Sequence, residues 1–259
     1  MVIGLSTACF YGRRETEDTF EILKELGADC AEVFLQTFYE YRPEFAKKYA
    51  QGLQGIKVNS VHVFSTNIEP SLFCPTRRSR GDGFYWLDQV MRSAQLLDAG
   101  NYSFHGIARK GSGGNDDFNF LGGRIAEVCN FCQSYGVNVC LENVSWGLYN
   151  RPGVFKELKA RCPQLFGVFD IKQARSSGYP WQMYVKEMQG SISHAHLSDV
   201  DENGRMCLPG RGIYDFKEIF KVLKDAGFDG SVIIEAYSRD YGAEEELKTS
   251  LEYLKEISI

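Results

Sequence analysis

The stretch Phe118–Val144, "FNFLGGRIAEVCNFCQSYGVNVCLENV", decides the fold. Its first part spaces apolar residues at helical intervals and stops at Gly136, since glycine readily leaves the helical backbone conformation. "NVCLENV" follows directly, a short apolar run with β character and turn signals close by. A helix running into an apolar strand that ends on a carboxylate, Glu142, is one step of an alternating pattern.

The same step recurs in both directions. The runs "VIGLS", "CAEVFLQ", "KVNSVHVF", "NYSFHGIA", "FGVFDIK", "ISHAHLSDV" and "GSVIIEAYS" read as seven further strands. Helical patterns separate them, such as "TEDTFEILKELG" and "YDFKEIFKVLKDAG", the latter with Asp215 placed to cap its first turn. "AEEELKTSLEYLKEI" closes the series. Eight strands, each followed by a helix, imply a parallel sheet. Eight such units in 259 residues match the size of an α/β (β/α)8 TIM barrel, expected to be a single domain over residues 1–259. An open doubly wound sheet is the alternative, but "GLSTACFYG" after the first strand lacks the glycine fingerprint of that fold. Two segments read as loops on the face where barrels carry their chemistry. One is Ser65–Gly83, with Pro70, Pro75 and the basic knot Arg77, Arg78 and Arg80; the other is Ala108–Asp117, "ARKGSGGNDD".

Composition narrows the function classes. A net charge of −5 offers no electrostatic footprint for nucleic acid, which counts against it as a partner. No run reaches the roughly 18 apolar residues of a membrane span. Eight scattered cysteines, and an opening "MVIGLSTACF" without a basic, long-apolar signal pattern, point to a reduced cytoplasmic protein. "CNFC" at Cys129–Cys132 has no second pair to complete a zinc ribbon, so it reads as two buried thiols on one helix face.

In a barrel, the strands' C-terminal ends form the active face. Six consecutive strands end on residues able to bind metal: His62, His105, Glu142, Asp170, His196 and Glu235. Glu142 follows "VCL" and Glu235 follows "VII", and carboxylates are seldom buried in such surroundings unless paired or coordinating. Several carboxylates at one barrel mouth repel each other, and a divalent cation is the simplest remedy. Oxygen donors with imidazole suit manganese, zinc, cobalt or iron better than calcium; the expected cofactor is a divalent metal, with Mn, Zn, Co and Mg all open. His194 shares its strand parity with His196 and lies one layer deeper, which suggests a supporting role.

The segments "SVHVF", "SFHG", "CLENV", "VFDIKQARSSGYP", "HAHLSD", "LPGRGIYDF" and "VIIEAYS" resemble, in order and spacing, the xylose isomerase-like TIM barrel superfamily. That group includes sugar-phosphate isomerases and epimerases, inosose dehydratases and family 2 AP endonucleases. The resemblance implies one metal held by Glu142, Asp170, His196 and Glu235, with Glu142 and Glu235 also exchanging protons with substrate. It makes His62 and His105 candidates for a second metal or for substrate contact. Two departures stand out. Gln173 replaces a histidine that touches substrate in the epimerases, and "NGRMCLPGRG" lacks the Asp-x-His pair of the endonucleases' third zinc. Gln173, Trp146 and Arg211 are the expected substrate-binding residues.

The expected activity is that of a metal-dependent sugar, sugar-phosphate or inosose isomerase or epimerase, working by proton transfer through a metal-stabilised enediolate. Epimerisation, isomerisation and dehydration share that first step. The alternatives are a zinc-dependent phosphodiesterase like endonuclease IV, and a non-catalytic sugar-binding barrel. The expected partner is a small carbohydrate, with homo-oligomerisation left open.

Overall fold

The computed structural model describes residues 1–108 and 116–258. Eight parallel strands close into a barrel: β1 (Val2–Ser6), β2 (Cys30–Leu35), β3 (Lys57–Val63), β4 (Asn101–Phe104), β5 (Asn138–Glu142), β6 (Phe166–Asp170), β7 (Ile192–Leu197) and β10 (Ser231–Ile234). Sequence neighbours pair throughout, and β10 returns to β1 to seal the ring. A short antiparallel ribbon, β8 (Asp199–Val200) with β9 (Met206–Cys207), stands after β7. Closure removes every free sheet edge, and the strands bury their apolar side chains toward both the interior and the helices. The central residues of β2, β5 and β10 are accordingly all buried.

The opening stretch folds as its pattern predicts, into α5 (Phe118–Gln133) and then β5. The side chain of Asp117 caps α5 by accepting from the amides of Asn119 and Phe120. Asp215 likewise caps α9 (Phe216–Asp225), accepting from Lys217 and Glu218. Cys129 and Cys132 are both buried, and all eight cysteines are free.

Ser65–Gly83 is not the expected loop. It holds α3 (Ser65–Leu72) and the start of α4 (Arg77–Leu96). Pro70 and Pro75 suggest irregular chain, but Ile68, Glu69 and Leu72 bury one face of α3, and that anchoring outweighs the proline at its sixth position. Pro75 sits between the two helices. Of the other expected loop, Ala108–Asp117, residues 109–115 lie outside the described residues. A short helix absent from the sequence-based expectation, α7 (Ile171–Ser176), begins directly at the end of β6, with Asp170 as its cap. Among the described residues, no helix is long and apolar enough to cross a membrane.

One glycine is demanded by the barrel itself. A Cβ on Gly4 would overlap the carbonyl of Cys30 on the neighbouring β2. Neither backbone can retreat without disturbing the β1–β2 pairing of Gly4 with Cys30. Gly4→Ala should therefore destabilise the protein by about 1–3 kcal/mol, as overpacking does elsewhere; an unchanged unfolding midpoint in urea would contradict this.

Candidate active site

The barrel mouth opens into a cleft of about 590 Å3. Its floor carries His62, His105, Glu142, Lys172 and Glu235, and its walls are largely aromatic, with Tyr11, Phe34, Phe64, Trp146 and Tyr237. A cleft of this size holds a small-molecule ligand.

The strand ends deliver their side chains to one place. Donor atoms of Glu142, Asp170, His196 and Glu235 all lie within 4.8 Å of one another. His196 and Asp170 face each other in register across β6 and β7. His196 Nδ1 lies 3.6 Å from Glu142 Oε1 and 3.3 Å from Glu235 Oε2. Asp170 is fixed twice. Its Oδ1 accepts from the amide of Gln173, and its backbone is clamped by Asn143, whose Oδ1 accepts from the Asp170 amide while Nδ2 donates to its carbonyl.

This donor set fits a divalent cation. His196 Nδ1 and Glu142 Oε2 are buried with no hydrogen-bond partner. Buried polar atoms left unpaired are expensive, and such atoms in a carboxylate–imidazole cluster are what a metal ion satisfies. The crowded carboxyls respond in opposite directions. Burial, helped by Glu142 and Glu235, pushes the Asp170 carboxyl well above its usual range. The Glu235 carboxyl, which burial alone would raise, is held at about 2 by Lys172 and His196.

The second histidine pair also converges. His62 Nε2 and His105 Nε2 are 3.0 Å apart, and His105 Nε2 lies 3.2 Å from Glu142 Oε2. His62, His105 and Glu142 form a further group with donor atoms within 4.8 Å. His105 is pushed up to about 10: burial opposes this, but the Glu69 and Glu142 carboxylates prevail. Glu69, from α3, accepts hydrogen bonds from Tyr102 Oη and from the amides of His105 and Gly106, and so fixes the end of β4.

The remaining expected residues fall in different places. Trp146 borders the cleft and stacks on His105, with ring centroids 5.5 Å apart. Gln173 also borders it, its Oε1 accepting from the amide and hydroxyl of Ser145. Arg211 does not line the cleft; its guanidinium pairs with Glu246 at 3.1 Å. His194 lies beneath the cluster, fully buried, with Nε2 2.9 Å from Ser103 Oγ. Met206 and Gly204 lie in and before β9 of the ribbon. Its Asp199 is spent on the loop that follows, accepting from the amides of Gly210, Gly212 and Tyr214.

Besides Glu69, sequence reasoning passed over two charged residues of this region. Glu32 on β2 is fully buried and is the hub below the mouth. Its carboxylate meets Ser60 Oγ at 2.8 Å, Ser103 Oγ at 2.7 Å, His196 Nε2 at 3.1 Å and His62 Nδ1 at 3.3 Å. Lys172 on α7 is 6 % exposed, with Nζ 3.4 Å from Glu235 Oε2 and 3.9 Å from Asp170 Oδ2. The signal for both was present: a charged residue inside an otherwise apolar run, "CAEVFL" or "VFDIK", is itself informative.

The sequence model of the xylose isomerase-like TIM barrel family matches residues 20–257. An inosose dehydratase of Klebsiella pneumoniae is 26% identical over 143 residues, 47% of this chain and 46% of that protein. The match thus takes in about half the length of this curated relative. The crystal structure of D-psicose 3-epimerase with D-tagatose from Clostridium cellulolyticum H10 superposes with a TM-score of 0.80 at 16% identity, covering 100% of this chain and 99% of that one. The IOLI protein with a bound zinc atom superposes at 0.79, also at 16% identity, covering 100% and 98%. At such identities the two structures speak to the fold alone. The family pattern, however, runs from the first helical turns after β1 to the last helix, on a closed barrel of the matching topology, and the chain belongs to the xylose isomerase-like TIM barrel family.

Proposed function

We propose that this protein is a divalent-metal-dependent isomerase or epimerase of a keto sugar or keto polyol. The observation that carries the reading is the group Glu142, Asp170, His196 and Glu235 at the floor of the cleft, with His196 Nδ1 and Glu142 Oε2 buried and unpartnered. These four residues would hold the cation, which when bound supplies Lewis-acid polarisation of a carbonyl oxygen and neutralises the carboxylates. The inosose dehydratase among the relatives supports a keto polyol or keto sugar as the kind of substrate.

The chain's own groups do the rest. Glu142, at the end of β5, and Glu235, just past β10, both border the cleft, so a substrate bound there would meet a carboxylate from each. One accepts the proton α to a carbonyl, and the other returns a proton to the opposite face or to the neighbouring carbon. Trp146 and Tyr237 offer flat apolar surfaces to the C–H face of a sugar ring, and each is about two-fifths exposed. Glu32, itself met by His62 and His194, holds His196 in place through its far nitrogen, as supporting partners of ligand histidines do.

Purified protein should carry about one manganese, zinc or cobalt per chain by elemental mass spectrometry. It should also catalyse solvent deuterium uptake into a ketose or a keto-inositol. Protein that binds no divalent ion and exchanges no proton would defeat the reading. A second reading, a two-zinc phosphodiesterase, is favoured by the adjoining group His62, His105 and Glu142, which shares Glu142 with the first; two tightly held zincs and cleavage of abasic DNA without proton exchange would establish it instead.

A further inference from the structure

We propose that Lys172 is a catalytic residue of this site: its ammonium binds the substrate oxygen that takes up negative charge when Glu235 removes a proton. This rests on the reading above and deepens it, by naming the group that receives the developing charge.

The placement of Lys172 carries the argument. It stands two residues past Asp170, in the first turn of α7, and borders the cleft. Its stem is buried, which is rare for lysine and costly unless the charge is used or paired. Its Nζ lies over the ring of Tyr237, 4.6 Å from the centroid, and 3.4 Å from Glu235 Oε2. An ammonium has three N–H donors. Glu235 takes one of them in a long hydrogen bond; Asp170 Oδ2, at 3.9 Å, is beyond hydrogen-bond reach. Among the described residues, the only other lysine or arginine bordering the cleft is Arg239, whose side chain is 80% exposed at the rim.

Charge accounting shows what such an ammonium can do. Glu142, Asp170 and Glu235 bring three carboxyl groups to one cluster. With all three ionised around a divalent cation, one negative charge would be left over among them, and Lys172 lies beside Glu235 to meet it. When Glu235 takes the proton, a C–H bond breaks and an O–H bond forms on its carboxylate. The electron pair of the C–H bond moves into the carbon framework, and the carbonyl oxygen gains the negative charge that Glu235 has lost. A cation already beside Glu235, held by its buried stem and the Tyr237 ring, is positioned to follow that charge without reorganising.

The test uses full-length protein loaded with Mn2+ and a panel of D-fructose, D-psicose, D-tagatose and a keto-inositol in D2O. Wild type, Lys172→Met and Lys172→Arg are compared for deuterium uptake, KM and bound manganese. Lys172→Met should retain its manganese, because removing a neighbouring positive charge does not weaken cation binding. Its saturated exchange rate should fall by roughly 10²–10³-fold, the loss typical of removing a donor to a developing oxyanion, with KM changed by less than about threefold. Lys172→Arg, which keeps a cation, should recover at least about tenfold of that loss. Exchange by Lys172→Met within about tenfold of wild type would overturn the inference, leaving Lys172 a counter-charge. Loss of manganese from Lys172→Met would also overturn it, because the lysine would then be ordering the carboxylates. If wild type itself exchanges with none of the panel, the proposed function falls first and takes this inference with it.

Discussion

Glu142→Gln will abolish nearly all proton exchange while leaving the fold standing. An amide of the same shape cannot accept a proton, and general acid–base groups contribute typically about 10²–10⁴-fold. The same substitution removes one anionic donor from the group Glu142, Asp170, His196 and Glu235, so bound metal should fall as well. The fold should survive because both imidazoles near Glu142 keep other carboxylates. His105 retains Glu69, and His196 retains Glu235 and Glu32. Deuterium uptake followed by NMR, metal content and a thermal melt on one preparation separate the three effects. Exchange within about tenfold of wild type would remove Glu142 from the proposed chemistry.

Glu32→Ala should do the reverse and cost mainly stability. Glu32 is fully buried on β2 and ties together five strands. It contacts Ser6 from β1, Ser60 and His62 from β3, Ser103 from β4, and His194 and His196 from β7. Burial alone would raise its pKa, but His196 above all, with His194 and His62, holds the carboxyl well below the ordinary range. Its charge is thus part of the folded state. Truncation leaves three imidazoles and three hydroxyls without their common acceptor and opens a cavity. Breaking a buried charged network from one side costs about 3–5 kcal/mol. In a chain of this size that is a fall in Tm on the order of 10 °C. A shift of less than about 2 °C in a calorimetric scan would show that the hub contributes little. Glu32→Gln, which keeps a hydrogen-bonding group of the same shape, should lie between alanine and wild type.

These two carboxylates also show how far the sequence could be read. Glu142 was legible because it ends an apolar strand, and a strand's end in a parallel barrel faces the active mouth. Glu32 lies inside its strand, where the expected occupant is a core residue, and it escaped that rule. Its environment is assembled from residues as distant as Ser6 and His196, so no local window contains it. The same holds for Glu69. It comes from a segment whose prolines suggested a loop and proves to be the buried anchor of α3 under His105. Arg211, placed by its loop near the mouth, turns away because Glu246 on α10 (Glu245–Ile257) offers it a partner.

By itself the sequence determined the barrel, its strand order and the convergence of Glu142, Asp170, His196 and Glu235. Period-two and helical patterns are local, and once eight βα units are recognised the topology leaves few choices. Only the tertiary structure decided which charges meet: Glu32 beneath the histidines, Lys172 beside Glu235, and the buried atoms of His196 and Glu142 that make no hydrogen bond and on which the proposed metal site rests. Those contacts depend on strand stagger and barrel closure, which bring together side chains 63 residues apart in one case and 164 in another, and electrostatic partners are set by distances of a few ångströms that no spacing along the chain encodes.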